Sequence, residues 1–209
     1  MIQYVWKTQR LGMKTIEHLS MVFTALIIVL IIGVAIGVFL YNRKRLSDIV
    51  LNMLNIIETI PELALLVIMM PVLGIGYKPT LAASILYSIL PIARNTYVGL
   101  IQVDTQYLEV ARAMGLSEKQ ILWRIRMPLA LPLIAAGIRI AIVFTMGVVT
   151  LGGLIAAGGL GGPIQTGIHL YDRNIIIVTG LWIGILAVLV DFLGSRIEKL
   201  LNKRFGYDE

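Results

Sequence analysis

Glu58 and Glu62 stand four residues apart in a stretch that is otherwise largely apolar. An uninterrupted helix would carry both carboxyls on one face. In such a setting the pair can act as acid and base, line or gate a route for a cation, or sit hydrogen-bonded inside a helix bundle. Catalysis needs further groups, and no nucleophile–base arrangement or metal triad stands beside them. Pro61 lies between them and removes a backbone donor, which kinks a helix. Arg94 and Arg139 also lie in apolar sequence and are candidate partners. The two histidines, His18 and His169, are far apart and have no metal-ligand spacing. There is no cysteine, so disulfide and thiol chemistry are excluded. The run Gly158–Gly162 lacks the Gly-Lys-Ser/Thr ending of a phosphate loop. It suits close backbone packing or a flexible turn. Trp6, Trp123 and Trp182 are scattered, so no clustered aromatic set that could hold an organic cation is visible.

The elements that must position these residues are membrane helices. Of the 209 residues, 58% are hydrophobic and 14% charged, and the mean hydropathy is +0.88. A soluble domain carries about 25% charged residues, and a chain this short cannot hide so much apolar surface from water. The reading is an all-α polytopic membrane protein with five spans. They run over about 19–41, 49–73, 80–100, 129–154 and 174–193. Gly33 and Gly37 suit either close helix contact or a lipid-facing position. Residues 74–79 read as a turn, and 152–170 as a helix end, a tight turn and a short helix over about 164–170. Residues 1–17 form an extracytoplasmic tail or an interfacial helix, 18–195 the membrane domain and 196–209 a basic tail.

Residues 101–128 are the one extended polar stretch between spans. It carries seven charged residues and has helical character broken at Gly115-Leu116-Ser117. Ser117 and Gln120 have capping-box spacing. Such a loop can dock a cytoplasmic partner or lie on the membrane surface. The net charge of +6 belongs to Lys and Arg flanking the spans, a pattern that fits membrane orientation rather than nucleic acid. With five spans, eleven basic residues fall on the side of this loop and the C-terminus, against five on the other. That puts the N-terminus outside and the C-terminus in the cytoplasm.

Glu109-Val110-Ala111, Gly115, Ile125 and Met127-Pro128 resemble the pattern of bacterial ABC importer permease subunits: E-A-A, three residues, G, nine residues, I, one residue, L-P. Val110 and Met127 are apolar replacements within it. The resemblance implies a type I importer permease (MetI-like) fold with a five-helix core and a cytoplasmic coupling-helix loop at 101–128. It also implies a cell-membrane location in a bacterium. The expected partners are a cytoplasmic ABC ATPase dimer, a second permease chain, identical or homologous, and an extracytoplasmic solute-binding protein or lipoprotein. ATP and Mg2+ belong to the ATPase, and no cofactor is expected in this chain, which is not itself an enzyme.

Thr59-Ile60-Pro61, Leu90–Tyr97, Ala111–Gly115 and Ala157–Gly161 are similar to the branch that imports glycine betaine, carnitine, choline and related solutes. Permeases of the same class carry amino acids or other small solutes, which is the alternative. Glu62 departs from the small residue expected after that proline. Within the loop, Glu109 has two roles open to it: holding the loop's helices together, or standing as a solvated charge. Gly115 is expected to supply the turn. Leu116, Ile121 and Leu122 either contact the ATPase or pack back onto the permease. Arg112, Lys119, Arg124 and Arg126 meet acidic groups on the ATPase or lipid headgroups. Glu58, Pro61, Glu62 and Arg94 are the candidate path or gate residues.

Overall fold

The computed structural model describes residues 1–205, so the last four residues of the basic tail lie outside the described residues. Every regular element is helical: α1 (Ile2–Thr8), α2 (Leu11–Leu40), α3 (Lys44–Thr59), α4 (Glu62–Leu73), α5 (Tyr77–Ile101), α6 (Thr105–Ala113), α7 (Glu118–Ile121), α8 (Met127–Gly152), α9 (Gly161–His169) and α10 (Arg173–Phe205). A π turn over Leu122–Arg126 joins α7 to α8, and a 3-10 turn over Gly153–Ile155 follows α8. Helix α2, the stretch Glu118–Ile155 and α10 are each long and apolar enough to cross a bilayer. The pair α3–α4 makes a fourth crossing if it counts as one bent span. Helix α5 is more polar, but its 25 residues reach about 37 Å at 1.5 Å per residue. The fold is therefore all-α and polytopic.

Helix α5 is the centre of the bundle, packed between α2 and α8. Small residues allow that. A Cβ placed at Gly33 would lie 2.8 Å from Ile92 Cγ2, and one at Gly37 would lie 2.5 Å from Thr96 Cβ. On the other side, a Cβ at Gly137 would lie 2.7 Å from the Pro91 carbonyl oxygen. Gly33 and Gly37 are thus helix-contact residues rather than lipid-facing ones.

The α3–α4 break is sharper than a kink. Ile60 and Pro61 are both extended, with ψ of 126° and 134°, and the two helices differ in direction by 97°. A residue before proline is driven out of the helical region by the ring. Glu58 and Glu62 therefore end one helix and begin the next, and they do not share a helical face.

The glycine-rich turn packs on the N-terminal part of α2. Gly158 and Gly159 have φ of 89° and 62°, and the Gly159 N–H donates to Glu17 Oε2 at 3.1 Å. Helix α9 begins at Gly161, a few residues before the start expected from sequence. The N-terminal residues form helix α1, which docks on the bundle. Val5 is buried, and Trp6 meets Trp182 edge-on at 4.9 Å.

Candidate functional site

The 101–128 loop is built from local signals. Asp104 caps α6 by accepting the Gln106 N–H at 2.9 Å. The helix ends in a Schellman turn: the Leu116 N–H reaches the Ala111 carbonyl at 3.1 Å, and the Gly115 N–H reaches that of Arg112 at 2.9 Å. Gly115 takes φ of +80°, and nothing would touch a Cβ there. Its need for glycine is thus conformational and not steric. Ser117 and Gln120 form a complete capping box at the start of α7. Arg112 spans the turn to Glu118 at 2.9 Å. That hydrogen bond, with the Glu109 charge nearby, pushes the guanidinium pKa up. Both partners are exposed, so the pair orders the turn more than it stabilises the fold.

A small core lies inside the loop. Val103, Leu108, Ala111 and Ile121 are buried together, with Leu116, Ile125 and Leu129 packed around them. Of the two roles open to Ile121 and Leu122, packing is the one their burial fits. The exposed apolar surface is carried by Tyr107, Val110 and Met114, with Met114 73% exposed. They border an open groove of about 500 Å³ shared with Leu116, Arg124 and Ile125. The signal for them was their spacing of three and four along an amphipathic helix. Glu109 is exposed on α6.

The π turn explains the end of the motif. Pro128 has no N–H, and its ring clashes with the carbonyl four residues back in a regular helix. The widened turn, in which the Met127 N–H reaches the Leu122 carbonyl, precedes it and keeps the rod continuous. Arg126 turns away from the loop surface, donates to the Leu100 carbonyl at the end of α5 and lies over the Tyr41 ring. It fastens the loop to α5 and α2.

The candidate path residues lie elsewhere, along α3, α4 and α5. The Tyr87 hydroxyl donates to the Glu58 backbone carbonyl at 3.0 Å, and both Glu58 and Glu62 act electrostatically on Tyr87. Arg94 is within electrostatic reach of Glu58 and is exposed on α5. Glu62 faces Gly147 of α8, and Tyr87 stacks edge-on with Phe144 at 5.8 Å. The other buried-sequence arginine, Arg139, is committed elsewhere: it binds both oxygens of Asp191 at 2.9 and 3.0 Å and Glu198 at 2.6 Å. Those partners are 52 and 59 residues away, a distance no local pattern reveals. Among the described residues, no cluster of His, Asp and Glu could hold a metal ion.

The family described as "Binding-protein-dependent transport system inner membrane component" matches residues 29–207. The chain belongs to this family. It is a non-catalytic permease subunit of an ABC importer and a multi-pass bacterial membrane protein. The permease is 40% identical over 187 residues to the carnitine transport permease protein OpuCD of Listeria monocytogenes, covering 89% of this chain and 84% of that one. It is 36% identical to the choline transport system permease protein OpuBB of Bacillus subtilis, covering 90% and 87%. It is 37% identical to the osmoprotectant import permease protein OsmW of Salmonella typhimurium, covering 93% of each. Among solved structures it is similar to the inward-facing methionine ABC transporter MetNI, with a TM-score of 0.82 and 28% identity over 91% of this chain and 95% of that one. This architecture implies a partner ATPase and an extracytoplasmic binding component.

Gly115→Ala tests the loop geometry. An alanine held at positive φ costs about 1 kcal/mol, so assembly with the ATPase is expected to weaken roughly fivefold, with the melting of the membrane body unchanged. A pull-down titration and a melting curve measure the two, and wild-type assembly would contradict the assigned role.

Proposed function

We propose that this permease passes quaternary-ammonium compatible solutes (glycine betaine, carnitine, choline or related) inward through a dimer of such chains. ATP hydrolysis on a partner ABC ATPase dimer drives it. The observation that carries the reading is the doubly capped 101–128 loop, which presents Tyr107, Val110 and Met114 outward on a rigid turn between two long helices. Arg126 relays that turn to α5, so movement imposed on the loop reaches the centre of the bundle. The solute class is supported by relatives at 36–40% identity that are carnitine, choline and osmoprotectant permeases.

In this reading the chain crosses the membrane five times, with α3–α4 as a bent span and α5 as the most polar one. The N-terminus is outside, and the loop and C-terminus are cytoplasmic. The second permease chain is a copy or a homologue, and a solute-binding protein or lipoprotein delivers solute from outside. Glu58, Glu62 and Arg94 line or gate the path beside the Ile60–Pro61 break.

The test is reconstitution of the permease with its ATPase and binding protein in vesicles. ATP-dependent uptake of labelled glycine betaine, carnitine or choline is expected. Assembled complexes that import none of them, and whose ATP hydrolysis none of them stimulates, would refute the solute class. Glu58→Gln and Glu62→Gln are expected to lower uptake at least threefold without loss of assembly; unchanged uptake removes these carboxylates from the path.

A further inference from the structure

An apolar groove of about 810 Å³ runs between α2 and α8, walled by Leu30, Val34 and Val38 on one side and Met127, Ile134 and Ile138 on the other. No charged residue lines it. It is open to the surroundings: Ile31, Phe39 and Trp123 on its border are 65%, 54% and 55% exposed. From Leu30 to Phe39 it covers nine helical steps, about 13 Å, close to half of a hydrocarbon core of about 30 Å. Its length is that of one leaflet.

One end of the groove is chemically distinct. The Arg43 guanidinium lies 4.0 Å above the Phe39 ring and donates to the Phe39 carbonyl, which leaves most of its N–H donors uncommitted. Lys44 and Arg45 follow it, both exposed, and Asp48 one turn later is the nearest carboxylate in sequence. Trp123 stands at the same end. A tryptophan and a basic cluster at one end of an apolar channel match the interface of a bilayer. An acyl chain in the groove would place its headgroup at this basic rim.

We propose that the groove between α2 and α8 is a binding site for a phospholipid with an anionic headgroup, its acyl chain lying between the helices and its phosphate beside Arg43 and Lys44. Neutral phospholipids fill the same channel without the charge contribution and bind more weakly. The proposal rests on the chain's place in a membrane and not on which solute it imports, so uptake measurements and lipid measurements fail independently.

The experiment is native mass spectrometry of the full-length permease purified in mild detergent. It is offered phosphatidylglycerol and phosphatidylcholine with the same acyl chains at equal mole fraction. A basic residue near the surface contributes about 1 kcal/mol toward an anionic headgroup. Phosphatidylglycerol is therefore expected to be retained at least fivefold over phosphatidylcholine, and Arg43→Gln to cut that preference about fivefold. Ala35→Trp places a ring in the groove and is expected to remove retention of both lipids; its melting curve is compared with that of the wild type. Should Ala35→Trp fail to fold, Arg43→Gln leaves the groove intact and still reports the charge preference. Equal retention of the two lipids by the wild-type chain overturns the proposal, as does undiminished retention by a folded Ala35→Trp. Efficient disulfide cross-linking of Ala35→Cys to itself in membranes would show a second copy covering the groove, and also overturns it.

Discussion

Met114→Asp is expected to abolish ATP-driven uptake while leaving the membrane body folded. The side chain is 73% exposed at the end of α6 and borders the open groove of the coupling loop. Because solvent already surrounds it, a carboxylate there costs the isolated chain little. On a docked interface the same carboxylate would lose its hydration without a partner. That costs on the order of 3 kcal/mol, about a hundredfold in affinity for the ATPase. Val110→Asp, 60% exposed on the same helix, is expected to act in the same direction. Uptake in reconstituted vesicles, ATPase pull-down and the melting temperature of the purified permease together measure this. Normal uptake by Met114→Asp would mean that the ATPase seats elsewhere.

Gly37→Val should have the largest effect on the membrane body. A Cβ at this position would meet Thr96 Cβ at 2.5 Å, Thr96 Cγ2 at 2.7 Å and the Ala93 carbonyl oxygen at 2.9 Å. One of these is backbone, and a branched side chain cannot rotate away from all three. Overpacking of this kind costs about 3 kcal/mol, and forcing α2 away from α5 also disturbs the neighbouring Gly33–Ile92 contact. The expected result is loss of monodisperse protein after extraction, or a clearly lowered melting temperature. Gly184→Val is the control, because nothing lies within 4 Å of a Cβ there. Equal stability of the two variants would contradict the packing described between α2 and α5.

The features legible in the sequence were those written in local chemistry. Gly115 followed by Ser117 and Gln120 announced a helix end and a new start, and the structure forms both caps with those residues. Apolar runs announced the membrane body, though the number of crossings depends on how α3–α4 and α5 are counted. Pro61 announced a kink, but not a 97° turn that sends Glu58 and Glu62 onto different helices. That angle is set by what α4 packs against: Leu65 and Leu66 are buried with Ala83 of α5 and Val148 of α8. Long-range polar contacts were invisible for the same reason. Asp191 stands near the end of the last apolar run, and nothing local ties it to Arg139, which holds it bidentately. Glu17 reads as part of a polar tail, yet it receives the Gly159 N–H from 142 residues away. Arg126 was one of four loop cations, and only the fold shows it turned inward to Leu100.

The continuous rod from Glu118 to Ile155 has a mechanical consequence. Its 38 residues extend about 57 Å. It is held against α5 at more than one point: a Cβ at Gly99 would lie 2.9 Å from Ala130 Cβ, one at Gly137 would lie 2.7 Å from the Pro91 carbonyl oxygen, and one at Gly152 would clash with Thr80 Cγ2. The outer two of these contacts are about 33 Å apart along the rod. A beam seated at separated points cannot pivot about any one of them. Displacement at the coupling end would therefore carry α5 along with it, and the two helices would move as one body.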